Sequence, residues 1–218
     1  MAEGNNFNRP FSFDYEDVWN FNVYIIFYYC DIDYCLEIPR SYKKRKRELK
    51  NKFMAYKNIP FGKIDAFNVL IEIPQGGQNK YEYDEESDEI KLDFVFWGKC
   101  KFPHNYGLIP QTKAGDGDHL DAIVLNPIPL EVGAIVTCRA VGILKTIDRG
   151  EIDDKLVVVP VACKEYEKIQ SAKDLPNNFE KAYRDFYKLV GIQKNKTIEV
   201  KGLASKEEAI EELNKSRL

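Results

Sequence analysis

The stretch Ala114-Gly115-Asp116-Gly117-Asp118-His119-Leu120-Asp121 runs directly into Ala122-Ile123-Val124-Leu125, so a glycine turn loaded with acid feeds an apolar, strand-like run. Asp116, Asp118 and Asp121 put three carboxylates within six residues. Like charges this close raise one another's pKa unless cations neutralise them. A hard divalent metal is the simplest neutraliser. Two familiar acidic motifs fail on spacing. Counted from Asp116, an EF-hand loop needs an oxygen ligand fifth, glycine sixth and glutamate twelfth, where this chain has Leu120, Asp121 and Pro127. An aspartyl-nucleophile phosphatase would end an apolar strand on D-x-D, whereas Gln111-Thr112-Lys113-Ala114-Gly115 precedes the acids.

Outward from that turn the chain is β-like. Phe67 to Ile73 reads as a strand ended by Pro74, with Gln75-Gly76-Gly77-Gln78 as the turn after it. Lys80 to Tyr83 and Glu89 to Leu92 flank the acidic turn Asp84 to Asp88 and read as a hairpin. Phe102 to Pro110 reads as loop, because proline and glycine weaken a strand interior. Ala122 to Leu125, Ala134 to Leu144 and Leu156 to Val159 are further strands, divided by Pro127, Pro129, Gly133 and Gly150. Helices come late. Phe179, Ala182, Tyr183, Phe186 and Val190 recur at helical spacing with Gly191 where a C-cap is expected. A last strand spans Thr197 to Lys201, and Ser205-Lys206-Glu207-Glu208 has the capping-box pattern that opens a helix carrying Ile210 and Leu213. Many short strands followed by two helices predict an α+β fold, a small β-barrel with both helices packed outside.

A second acidic group follows the strand Val141 to Leu144: Asp148, Glu151, Asp153 and Asp154, then Lys155. Strand ends on a small barrel converge, so these acids can face Asp116, Asp118 and Asp121, with Glu72 joining from its own strand. An isolated aspartate in a glycine-rich loop is ordinarily a solvated turn; the clustering argues otherwise. About six oxygen donors suit Mg²⁺ or Mn²⁺, which accept carboxylate and water and leave positions for a phosphate. Lys80, Lys155 and Lys188 then supply point charges for phosphate oxygens.

Composition narrows the function classes. Lys and Arg number 32 against 35 Asp and Glu in 218 residues, a net charge of -3 that gives no general attraction to nucleic acid. Hydrophobic residues make up 44% of the chain, yet no run of 18 apolar residues occurs, so the expectation is a soluble protein with no membrane span. Five cysteines without a C-x-x-C pair, and only His104 and His119 beside them, assemble no ordinary zinc site and read as free thiols in a reducing compartment.

Residues 1–53 have a different texture. They hold 13 of the 28 aromatics and end in the basic block Tyr42-Lys43-Lys44-Arg45-Lys46-Arg47. Acids such as Asp14, Glu16 and Asp17 argue against a transit peptide. The segment reads as an extension outside the catalytic core, or as a translated leader with Met54 as the natural start. The remainder, 54–218, is the expected catalytic domain.

From Met54 to the C-terminus the chain resembles the soluble family I inorganic pyrophosphatases. Asp116-Gly117-Asp118-His119-Leu120-Asp121 is similar to their D-x-D-x-x-D signature, with His119 where proline is usual. Ile71-Glu72-Ile73-Pro74, Lys80-Tyr81-Glu82, Pro103-His104-Asn105-Tyr106-Gly107, Asp148 to Lys155 and Tyr187-Lys188 match in order and spacing. The resemblance implies an OB-like five-stranded β-barrel with the site at its mouth, several Mg²⁺ ions, and hydrolysis of pyrophosphate to two phosphates. By position it implies metal ligation by Asp116, Asp121, Asp148, Asp153 and Glu72. Asp118 would be the general base, and Lys80, Tyr106, Lys155, Tyr187 and Lys188 would bind phosphate, with Glu82 organising the water and lysine network. It further implies a cytoplasmic homo-oligomer, a hexamer before a dimer. Three departures stand out. Phe94 occupies the place of a phosphate-binding arginine expected just after Asp93, Phe102 replaces a tyrosine, and Arg149 stands where an acid often follows Asp148. Lys99, Lys101 or Arg149 would compensate by reaching into the site; if none does, turnover should be slower. The alternative to an active hydrolase is a catalytically weakened pyrophosphate- or phosphate-binding relative, on the strength of Phe94 and Phe102.

Overall fold

A computed structural model describes residues 55–115 and 117–218. The expectations for residues 1–53, for Met54 as a start and for Asp116 lie outside the described residues. In chain order the elements are β1 (Gly62–Lys63), β2 (Ala66–Ile73), β3 (Asn79–Asp84), β4 (Glu89–Val95), β5 (Asn105–Ile109), β6 (Leu120–Val124), β7 (Ile135–Asp148), β8 (Glu151–Ile152) and β9 (Lys155–Pro160). Helix α1 (Phe179–Lys194), strand β10 (Ile198–Ala204) and helix α2 (Lys206–Ser216) complete them.

The described residues form an α+β fold, with a mixed sheet and two α-helices. Hydrogen-bonded neighbours run β1-β2-β5-β6-β9-β7-β10, and β7 also pairs with β2, so the path β2-β5-β6-β9-β7 returns to its start. Only the β6–β9 contact on this path is parallel. Strands β3 and β4 form a separate antiparallel hairpin. Both faces of the central strands are buried, which is why β9 reads as the uninterrupted run Leu156 to Val159 and not as an alternation. Val157 and Val159 pack with Ile123, Phe179, Tyr183 and Phe186, under α1. Leu156 and Val158 face the other way, toward Phe67, Val69, Ile71 and the α2 residues Ala209 and Leu213. Full burial of side chains of this size contributes about 1.5–3 kcal/mol each.

Two expectations change. The segment read as loop contains β5, and Gly107 explains why. It pairs with Ile71, and a Cβ there would collide with the carbonyl oxygen of Leu70, so the glycine permits close strand packing and does not break the strand. Gly191 is not the helix end either. The helix continues to Lys194, and Asn195 takes the left-handed position at φ 48°. A Cβ on Gly191 would lie 2.6 Å from the Lys196 carbonyl oxygen, so this glycine makes room for the chain to fold back over the helix. The capping box at Ser205 forms as the pattern predicts, with Ser205 Oγ accepting from Glu208 N at 3.2 Å.

Candidate active site

Sheet register assembles the acids. In the parallel pair β6–β9, Asp121 stands opposite Lys155. In the antiparallel pair β5–β6, Tyr106 stands opposite Ile123, which makes Asp121 its diagonal neighbour on the same face. The Tyr106 hydroxyl donates to Asp121 Oδ2 at 2.5 Å, and Lys155 Nζ donates to the same oxygen at 2.7 Å. Lys155 also pairs with Asp153, two residues before it in the chain. Glu72 arrives by another device. On β2, Ile71 pairs with Gly107 and Ile73 with Tyr106, so Glu72 is the extra residue of a β-bulge. Such a residue is re-aimed relative to the regular ladder. Its Oε1 accepts from Tyr83 N at 2.7 Å, tying it to the hairpin.

These side chains line one cleft of about 1070 Å³, which holds Glu72, Lys80, Glu82, Tyr106, Asp118, Asp121, Asp148, Asp153, Lys155 and Tyr187 together. The sequence-predicted site is therefore brought together except for two residues. Asp116 lies outside the described residues. Lys188 is exposed on α1 and lines an adjoining groove of about 620 Å³, which has Tyr187, Lys196 and Ile198 in common with the cleft. Helical spacing causes the split: Tyr187 points into the core, and the next residue points about 100° away from it.

The electrostatics are those of an acid cluster deprived of water. Burial, with the Asp121 carboxylate next, pushes Glu72 up to about 8. Burial also raises Asp153, and Asp121 adds to this against the opposing pull of Lys155. For Lys155 burial acts to lower the pKa, but Asp121 and Asp153 outweigh it and the net shift is upward. The Tyr106 and Tyr187 hydroxyls are pushed well above their usual value by burial and then by the nearby acids.

Whether these residues suit a divalent cation is decided by their partners. The donors are hard carboxylate oxygens, as Mg²⁺ or Mn²⁺ requires. Asp148 Oδ1 is buried and accepts no hydrogen bond among the described residues, although Arg149 Nε forms an ion pair with it at 3.6 Å. Among the described residues no three acids close around one point in the manner of a finished ion site. The Lys155 ammonium stands between Asp121 and Asp153 and does the neutralising there. The donor set fits a hard cation.

The cationic side contains residues the sequence reading missed. Lys99 and Lys101 are exposed and do not line the cleft; Arg149 does line it, from a turn where its side chain is 74% exposed. Lys194 and Lys196 line it too. Lys196 Nζ lies 2.5 Å from Asp148 Oδ2, and Lys194 Nζ lies 3.0 Å from Asp93 Oδ2. A lysine at or just past the end of a helix, as Lys194 and Lys196 are, ordinarily complements the helix dipole, so no local pattern singled these two out.

Comparison with known proteins places this arrangement. The profile of the family described as inorganic pyrophosphatase matches residues 69–217. A Campylobacter jejuni inorganic pyrophosphatase is 36% identical over 167 residues, covering 75% of this chain and 97% of the relative. One from Synechocystis is 36% identical over 140 residues, covering 64% and 83%. A solved inorganic pyrophosphatase structure from Coxiella burnetii is 42% identical, with a TM-score of 0.69 over 72% of this chain and 97% of its own.

Proposed function

The chain belongs to the inorganic pyrophosphatase family and hydrolyses pyrophosphate to two phosphates, and from that premise we propose how its own residues divide the work. The observation that carries the assignment is the meeting of Asp121, Asp153, Lys155 and Tyr106 in the cleft that also holds Asp118 and Glu72. The family is divalent-metal dependent; Mg²⁺ is our proposal for the ion, held by Asp116, Asp121, Asp148, Asp153 and Glu72. Bound there, the metal would lower the pKa of a water toward neutrality and neutralise phosphate charge.

Asp118 is the general base. It takes the proton of the water as the water oxygen bonds to one phosphorus; the bridging P–O bond breaks and its electron pair leaves with the second phosphate. Lys80, Lys155, Tyr106 and Tyr187 bind phosphate oxygens and Glu82 orients Lys80, with which it pairs. Tyr187 suits this role because its hydroxyl is buried and has no hydrogen-bond partner among the described residues. Phosphoryl transfer needs mainly positioning and charge neutralisation, so no serine or cysteine nucleophile is required. We read the closed strand path as the OB-like five-stranded barrel, and propose a cytoplasmic homo-oligomer, a hexamer before a dimer. Among the described residues no helix is long and apolar enough to cross a membrane. None of the comparisons favours a protein that only binds pyrophosphate.

The test is phosphate release from pyrophosphate with and without Mg²⁺. Release that requires the ion supports the assignment; release unaffected by chelation removes the metal from it.

A further inference from the structure

We propose that Lys194 binds a phosphate of the substrate in place of the arginine that this chain lacks at Phe94, the charge having moved from a strand to the end of a helix. The inference rests on the pyrophosphatase reading of the cleft. Phe94 does not line the cleft; its ring packs on Phe96 at 4.9 Å and Trp97 at 6.2 Å between centroids. Lys194 does line it. Its Nζ sits 5.1 Å over the Phe94 ring and 3.0 Å from Oδ2 of Asp93, the residue just before. The ammonium thus stands at the cleft wall beside Asp93 and Phe94 of β4, although it comes from 100 residues further along the chain than Phe94.

Two features make this a built arrangement. The end of α1 is fixed to the segment after β4 by a pair of hydrogen bonds: Trp97 N donates to Gln193 Oε1 at 3.1 Å, and Gln193 Nε2 donates to Trp97 O at 3.0 Å. Residue 194 is thus held in register with residues 93 and 94. In addition, Lys80 Nζ lies 3.2 Å from the same Asp93 oxygen. Two ammonium groups converge on one carboxylate oxygen at the cleft wall. Each has three N–H donors, so donors remain for an anion. An ammonium gives a point charge and not the bidentate fork of an arginine, but it resting on an aromatic face recovers part of the lost attraction. Arg149 is a poorer candidate, being largely exposed and placed beside Asp148 instead.

Binding of inorganic phosphate, followed by calorimetry on the full chain with Mg²⁺ present, separates this role from catalysis. Lys194→Met is expected to raise the phosphate Kd and the KM for pyrophosphate about tenfold, as for loss of one charge-assisted hydrogen bond. Lys194→Arg is expected to stay within about threefold, because it retains the cation. Melting temperatures of the two variants report any purely structural effect. If Lys194→Met binds phosphate as wild type does, the inference is overturned. If the wild type binds phosphate but hydrolyses no pyrophosphate, the hydrolase reading fails while a Lys194 effect on binding still stands.

Discussion

Lys155 Nζ lies 2.7 Å from Asp121 Oδ2 with its side chain 4% exposed, and it pairs at the same time with Asp153. A buried cation shared by two acids is weak support for stability, since desolvation offsets attraction; removing it alone leaves charge uncompensated. Lys155 thus offsets part of the negative charge of Asp121 and Asp153.

Lys155→Met should lower the unfolding free energy of the metal-free protein by about 3 kcal/mol. Urea unfolding in the presence of a chelator measures it. Mg²⁺ should restore more stability to the variant than to the wild type, because two acids have lost their ammonium. An unchanged urea midpoint would show that the pair contributes nothing.

Asp118→Ala should reduce kcat by about 10²–10⁴-fold, the usual contribution of a positioned base. Asp118 is an exposed residue, so the melting temperature should change little. Steady-state phosphate release together with melting decides this; retained kcat would move the proton to another group.

Gly107→Ala should destabilise the protein by about 3 kcal/mol or more, because the new methyl meets backbone and no flexible side chain. Since Gly107 pairs with Ile71 next to the Glu72 bulge, activity should fall with the fold. A variant with wild-type melting and turnover would contradict this account of β5.

His104 sets an acid limb of stability. Burial lowers its pKa from 6.5 to about 4, and its ring stacks on Tyr183 with centroids 5.8 Å apart. The unfolded chain then binds the proton more readily, so stability is full above about pH 6.5 and falls as pH drops toward about 4. The loss attributable to this residue is about 3 kcal/mol. His104→Gln should flatten that part of the stability profile; an identical slope in both proteins would assign the titration elsewhere.

Much of this protein was legible in residue order alone. The acids of the signature, the strand Phe67 to Ile73, the hairpin and the two late helices follow from local patterns, because side-chain alternation and capping act over a few residues. Order and spacing also carried the family, and with it the chemistry. Where glycine was concerned the local pattern misled: Gly107 and Gly191 look like breaks, yet each answers to a backbone distant in sequence or just beyond the helix end. The bulge at Glu72 was equally hidden, since it exists only relative to the register of β5. Lys194 is the sharpest case. The sequence showed that a cation was missing at Phe94, but only tertiary structure could say that a lysine on α1 stands over that ring, because the Gln193 contacts that hold it there join segments far apart in the chain.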